Sequence, residues 1–112
     1  MTLINSNNLP LKTYPLNREV KMFVYIMTNK SNSVLYIGVT NDIHRRIEEH
    51  RLGINDGFSK RYSICKLVYC EKYDDPSKAI SREKQLKGWI RKKKDLLIES
   101  ANPNWNDISE EY

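Results

Sequence analysis

Met22-Phe23-Val24-Tyr25-Ile26-Met27 and, after a polar stretch, Val34-Leu35-Tyr36-Ile37-Gly38-Val39 are the two runs that decide the fold. Both alternating sets of positions in the first run are apolar, as a strand covered on both faces requires. Asn29-Lys30-Ser31-Asn32-Ser33 between them is turn chemistry, so the two runs are read as a β-hairpin. With the turn centred between Lys30 and Ser31, Tyr25 stands directly opposite Tyr36 and two phenols share one surface. Such a pair either packs as cross-strand aromatics or serves a site. Gly38 weakens its strand unless something must approach closely there, and a ligand backbone is one such thing.

Downstream, Thr40-Asn41-Asp42 offers helix caps, and Ile43 to Leu52 has a helical pattern that stops at Gly53. Gly57 opens a stretch read as a loop carrying Lys60 and Arg61. Cys65-Lys66-Leu67-Val68-Tyr69-Cys70 reads as a third strand, whose odd spacing sets the two cysteines on opposite faces as reduced thiols. Asp74-Asp75-Pro76 starts a second helix, with an aspartate cap and proline at the first helical position, expected to run to about Arg91. A last helix is expected over Lys93 to Ser100. Strand, strand, helix, strand, helix, helix gives an α+β domain: a small three-stranded antiparallel β-sheet flanked by helices. Residues 1–21 mix Asn, Ser and Pro without a period and are read as a poorly ordered extension, 22–100 as the folded domain and 101–112 as a tail.

The chain has 112 residues, 39% apolar and 29% charged, with 19 Lys+Arg against 14 Asp+Glu, a net charge of +5. A membrane span needs about 20 consecutive apolar residues, far more than the Met22–Met27 run supplies. Met1 to Pro10 has no lysine or arginine with which a secretory signal would begin, so a cytoplasmic protein is expected. Residues 22–100 carry 16 basic and 10 acidic side chains, and Lys78 to Lys94 alone carries eight basic residues and one acid, Glu83. That distribution describes either a solvated lysine-rich face or a surface for a polyanion.

Glu83 is the informative exception. At about 100° per residue, Ala79, Leu86 and Ile90 share one direction and Glu83 lies about 40° from Ala79. A carboxylate on an apolar face needs compensation. Two sources are open: an ion pair with Lys87, four residues on, or a metal ion. On the first helix His50 shares the face of Ile43 and Ile47, with Arg46 at its edge; an inward histidine is either a satisfied core residue or a proton carrier. Two tyrosines, an arginine, a histidine and a carboxylate form a set consistent with phosphodiester hydrolysis. Arginine stabilises phosphoryl charge, a hard cation activates the leaving oxygen, and a phenolate or imidazole accepts the proton of water. The phenol, with an ordinary pKa of about 10, needs nearby positive charge such as Arg46 or a metal to serve as a base.

In order, Val24-Tyr25-Ile26, Tyr36-Ile37-Gly38, Arg46 with His50, and Glu83 resemble the successive motifs of the GIY-YIG nuclease domain, in its small single-domain bacterial members. The resemblance spans Met22 to Ser100. Phe23-Val24-Tyr25 keeps only the tyrosine of the first motif, and the second motif is intact. The resemblance implies that Tyr36 is the general base or its close partner with Tyr25 beside it. It implies further that Arg46 holds the scissile phosphate, that His50 assists proton transfer or orients water, and that Glu83 is the single protein ligand of one Mg²⁺ or Mn²⁺. Where several members place an asparagine, this chain has Lys94 and Asp95; Asn102 and Asn104 are the later candidates, and Asn102 either takes that supporting role or belongs to the turn before Pro103. Gly38, Lys60, Arg61, Lys87 and Arg91 are the expected nucleic-acid contacts. The activity implied is metal-dependent endonucleolytic cleavage of DNA by a monomer with low sequence specificity, in repair or processing. A binding module of the same fold with little turnover is the alternative, and a protein-interaction domain built on Trp89 and the basic helix is a third reading.

Overall fold

In the computed structural model of the chain, residues 4–5, 8–10 and 21–112 are described. Strands β1 (Ile4–Asn5) and β2 (Asn8–Pro10) form a short antiparallel pair. The rest of the expected extension lies outside the described residues. β3 (Met22–Thr28) and β4 (Leu35–Thr40) form the hairpin, which continues into α1 (Ile43–Leu52) and α2 (Gly57–Tyr62). β5 (Lys66–Tyr73), α3 (Pro76–Lys87) and α4 (Arg91–Ala101) follow. The sheet order is β4-β3-β5, antiparallel throughout, which is the α+β architecture expected.

The doubly apolar β3 run lies at the centre of the sheet because it has two cores to serve. Val24 and Ile26 face one core with Ile37, Val68, Ala79, Leu86 and Ile98, under α3 and α4. Tyr25 and Met27 face the other with Ile43, Ile47, Ile64 and Leu67, under α1 and the end of α2. Among the described residues, no helix is long and apolar enough to cross a membrane.

Several local expectations are corrected. The register pairs Tyr25 with Gly38 and Met27 with Tyr36, two residues away from the pairing expected. The cause is the longer connection: Asn29 Oδ1 accepts from the Ser33 and Val34 amides, and Asn32 takes a left-handed φ of 60°. A slip of two preserves the face, so the phenols still share a surface but meet diagonally. Gly57 begins a helix, not a loop, with Asp56 as its cap accepting from the Ser59 amide at 2.6 Å. β5 extends three residues past Cys70 because Glu71 is held inside by Arg82, Tyr69 and Tyr73. A bulge at Val68, between the pairs Ile26–Tyr69 and Met27–Leu67, shifts the alternation on which the cysteine argument relied. Both thiols are free, and burial pushes Cys70 up to about 12. α3 ends at Lys87, before Gly88, and Ile90 caps α4. Ile90 is therefore 73% exposed, outside the apolar stripe assigned to it.

Candidate functional site

Tyr25 is fully buried at the centre of β3. Its ring lies over Gly38: a Cβ there would stand 2.6 Å from the ring Cζ and closer still to the phenol oxygen. The close approach that the glycine permits is therefore that of Tyr25, which corrects the expected nucleic-acid contact at Gly38. The Tyr25 hydroxyl is 2.8 Å from His50 Nε2. His50 Nδ1 is 2.5 Å from Ser59 Oγ, so phenol, imidazole and hydroxyl form one buried hydrogen-bonded chain.

Tyr36 stacks on Tyr25, with ring centroids 6.3 Å apart and planes inclined by 23°, and meets the His50 ring edge-on at 4.4 Å. Phe58 lies 5.8 Å beyond Tyr36. Tyr36 itself is half-buried and opens onto a cleft of about 300 Å³ lined also by Asp56, Phe58, Lys87 and Lys94. A larger cleft of about 720 Å³, between the hairpin turn and α2, holds Lys30, Lys60 and Arg61 and meets the cluster only through Ser59. The chemistry belongs to the smaller cleft, because the phenol opens there.

Arg46 stands beside both phenols and favours their ionised forms. Its Nε lies 3.1 Å from Glu49 Oε1, an ion pair whose geometry leaves that buried N–H without a hydrogen bond. Burial outweighs the arginine. It raises the Tyr25 pKa, with Tyr36 adding to the effect, and it raises that of Tyr36, with Asp56 adding to the effect. The expected lowering of the phenols by Arg46 is thus present in sign and overcome in size. Burial also lowers the His50 pKa, so the imidazole is neutral at pH 7 and keeps one accepting nitrogen.

Glu83 is inward, as expected, with its side chain 12% exposed. Its helix covers the opposite face of the sheet from α1, and it approaches the cluster around the β4 edge, where its charge bears on Tyr36. The ion-pair alternative is realised: Lys87 Nζ is 2.6 Å from Glu83 Oε2. Oε1 has no hydrogen-bond partner among the described residues. Those residues contain no group of three or more His, Cys, Asp and Glu able to hold a metal. A single carboxylate with one open oxygen fits a hard cation that keeps most of its waters, and does not fit zinc or another closed site.

Other expected contacts are distributed differently. Lys60 and Arg61 are exposed on α2. Arg91 donates to the carbonyl oxygens of Asn32 at 2.6 Å and Ser33 at 2.8 Å and pairs with Asp95, so its guanidinium ties the hairpin turn to α4 instead of facing a ligand. Asn102 is buried; its amide donates to the Val68 and Asn106 carbonyls, and its Oδ1 accepts from the Asn106 amide. It secures the chain after α4, the turn role rather than the supporting one. Ser59, Asp56, Phe58 and Glu49 escaped sequence reading. Asp56 three residues before Ser59, followed by Phe58 and Tyr62 at helical spacing, was the local signal available for α2.

The family model described as the GIY-YIG catalytic domain matches residues 21–95. A UPF0213 protein of Haloquadratum walsbyi is 38% identical over 79 residues, covering 70% of this chain and 88% of its own length. A UPF0213 protein of Staphylococcus aureus is 38% identical over 76 residues, covering 68% and 92%. The solution NMR structure of a UPF0213 protein from Bacillus halodurans superimposes with a TM-score of 0.50 at 27% identity, over 78% of this chain and 92% of that one. Phenols, arginine, histidine and inward glutamate thus stand in a fold and a sequence that agree, and the chain belongs to the GIY-YIG nuclease superfamily, among its small members.

Proposed function

We propose that the protein is a metal-dependent endonuclease that hydrolyses DNA phosphodiester bonds with low sequence specificity. The observation that carries this reading is the buried Tyr25–His50 hydrogen bond beneath a stacked Tyr36 that opens onto a basic cleft. Tyr36 is the phenol placed to meet an attacking water, since its hydroxyl has no hydrogen bond among the described residues. Tyr25 lies behind it, against a neutral imidazole that can take its proton. Arg46, next to both phenols, stabilises negative charge on phenolate and phosphoryl oxygens alike. Glu83 would hold one Mg²⁺ or Mn²⁺ through its open oxygen, and the ion would supply positive charge to the leaving oxygen and to the phenols. Lys87 and Lys94 line the cleft as phosphate contacts, with Lys60 and Arg61 farther along the surface.

The Glu83–Lys87 ion pair favours a second reading, a nucleic-acid-binding module of the same fold with little turnover. Supercoiled plasmid incubated with Mg²⁺ or Mn²⁺ separates them. Nicking by the wild type that is abolished by EDTA and by Glu83→Gln supports the nuclease. Undiminished nicking by Glu83→Gln removes the glutamate from the reaction. Binding without nicking by the wild type assigns the module.

A further inference from the structure

Ser59 is a polar side chain at the site that neither the motifs nor the proposed hydrolysis uses. It is 2% exposed, and its backbone is fixed at both groups: the amide donates to Asp56 Oδ1 at 2.6 Å, and the carbonyl accepts from the Ile64 amide at 3.1 Å. Among the described residues its hydroxyl meets only His50 Nδ1.

Two hydrogen bonds converge on one neutral ring. A neutral imidazole has a single N–H, so it donates at one nitrogen and accepts at the other. The hydroxyls competing to donate are a phenol at Tyr25 and an aliphatic alcohol at Ser59. The phenol is much the stronger acid and hence the better donor. The positive charge of Arg46 bears on the Tyr25 oxygen, which makes the phenol a still better donor to the imidazole. Tyr25 therefore donates to Nε2, the ring proton resides on Nδ1, and Ser59 Oγ accepts it. The other charged or titratable groups facing the ring are Tyr36 from β4, Arg46 and Glu49 from α1, and Asp56. The Asp56 carboxylate, on the Ser59 side, favours the N–H dipole in the same direction.

We propose that Ser59 is a positioning residue that holds His50 as the Nδ1–H tautomer and so keeps Nε2 open to the Tyr25 proton. The opposite tautomer would direct an N–H at the phenol oxygen and close that path. The consequence for catalysis rests on the nuclease reading; the tautomer does not.

Long-range ¹⁵N–¹H correlation spectra of the histidine side chains in the full chain at pH 7.5 test this, with exposed His44 as an internal reference. The wild type is expected to show His50 protonated at Nδ1 and bare at Nε2. Ser59→Ala is expected to move His50 toward the Nε2–H form, and Ser59→Thr to restore it. In plasmid nicking, kcat for Ser59→Ala should fall roughly 10- to 100-fold, the usual loss when a partner orienting a histidine is removed, with KM unchanged and with recovery in Ser59→Thr. A wild-type His50 carrying its proton on Nε2 overturns the proposal, and this spectrum decides even if Ser59→Ala does not fold. A folded Ser59→Ala with an unchanged tautomer, or with wild-type kcat, overturns it equally. Absence of nicking by the wild type would count against the nuclease reading alone, because the spectrum judges the tautomer independently.

Discussion

Tyr25 occupies the space that a side chain at position 38 would fill, and its hydroxyl is thereby delivered to His50. Gly38→Ala must move a rigid, fully buried ring, so it should cost about 1–3 kcal/mol, as overpacking does, and slow any reaction that uses the phenol. Urea unfolding checks the first effect; a wild-type midpoint would show that the ring has room to yield. His50 gives a pH signature. Burial lowers its folded pKa, so the unfolded chain binds the proton more readily, and stability is full above the unfolded value of about 6.5 and declines as pH falls below it. Burial alone would raise Glu71 and Asp107, but hydrogen bonds to Arg82 and two tyrosines, and to Ser109 and Leu67 respectively, outweigh it and hold both below the usual range. Their contributions are lost beneath about pH 4.5, clear of the histidine window. Urea midpoints should fall between pH 6.5 and 5 for the wild type and stay nearly flat for His50→Gln; parallel curves would contradict this. The inward placement of Tyr25, Tyr36, His50 and Glu83 was legible because each lies in an apolar period. Ser59 was not, since a small polar residue has no periodic signature until the helix carrying it is known.

Among the elements, α1 was readable to the residue because three local signals coincide: the Asp42 cap, the Ile43–Ile47–His50 stripe and Gly53 at φ 67°. α2 has six residues, too few to display a period, and its capping aspartate precedes a glycine that reads as a loop. The α3–α4 boundary was misplaced because Lys, Arg and Trp propensities run through Gly88, where the chain breaks by geometry rather than by composition. The last residues of β5 were missed because Glu71 and Lys72 look like surface until Arg82, eleven residues on in α3, is seen to reach back to Glu71. The segment after α4 packs along β5: Ile108 N–H donates to the Leu67 carbonyl at 2.8 Å, and Asp107 accepts from the Leu67 amide and pairs with Arg51. Asn102→Ala should strand the buried Val68 carbonyl and destabilise the protein by about 1–3 kcal/mol. Thermal and urea unfolding measure this, and an unshifted transition would mean that the tail is dispensable to the fold.

For the molecule as a whole the net charge is +5; among the described residues Lys94 at the Tyr36 cleft and Lys60 and Arg61 on α2 are in no ion pair, whereas Lys87, Arg51, Arg82 and Arg91 are tied to carboxylates. Composition revealed the total but not this division, which depends on partners distant in sequence. Binding to a DNA oligonucleotide should weaken steeply with salt, and Lys60→Ala or Arg61→Ala should each reduce the slope by about one; an unchanged slope would move the nucleic-acid path away from α2. The site straddles the β4 edge, with proton-handling groups under α1 and the carboxylate on α3, so the sheet itself fixes the distance between them. The most direct test of that arrangement is the Mg²⁺-dependent nicking rate of the wild type beside Tyr25→Phe and Tyr36→Phe, with thermal unfolding to verify the fold. The wild type should nick, and loss of the Tyr36 hydroxyl should slow it by roughly 100-fold or more, the scale of general acid–base catalysis, with Tyr25→Phe also impaired. Wild-type rates in both folded variants would contradict the assignment of the phenols to the reaction.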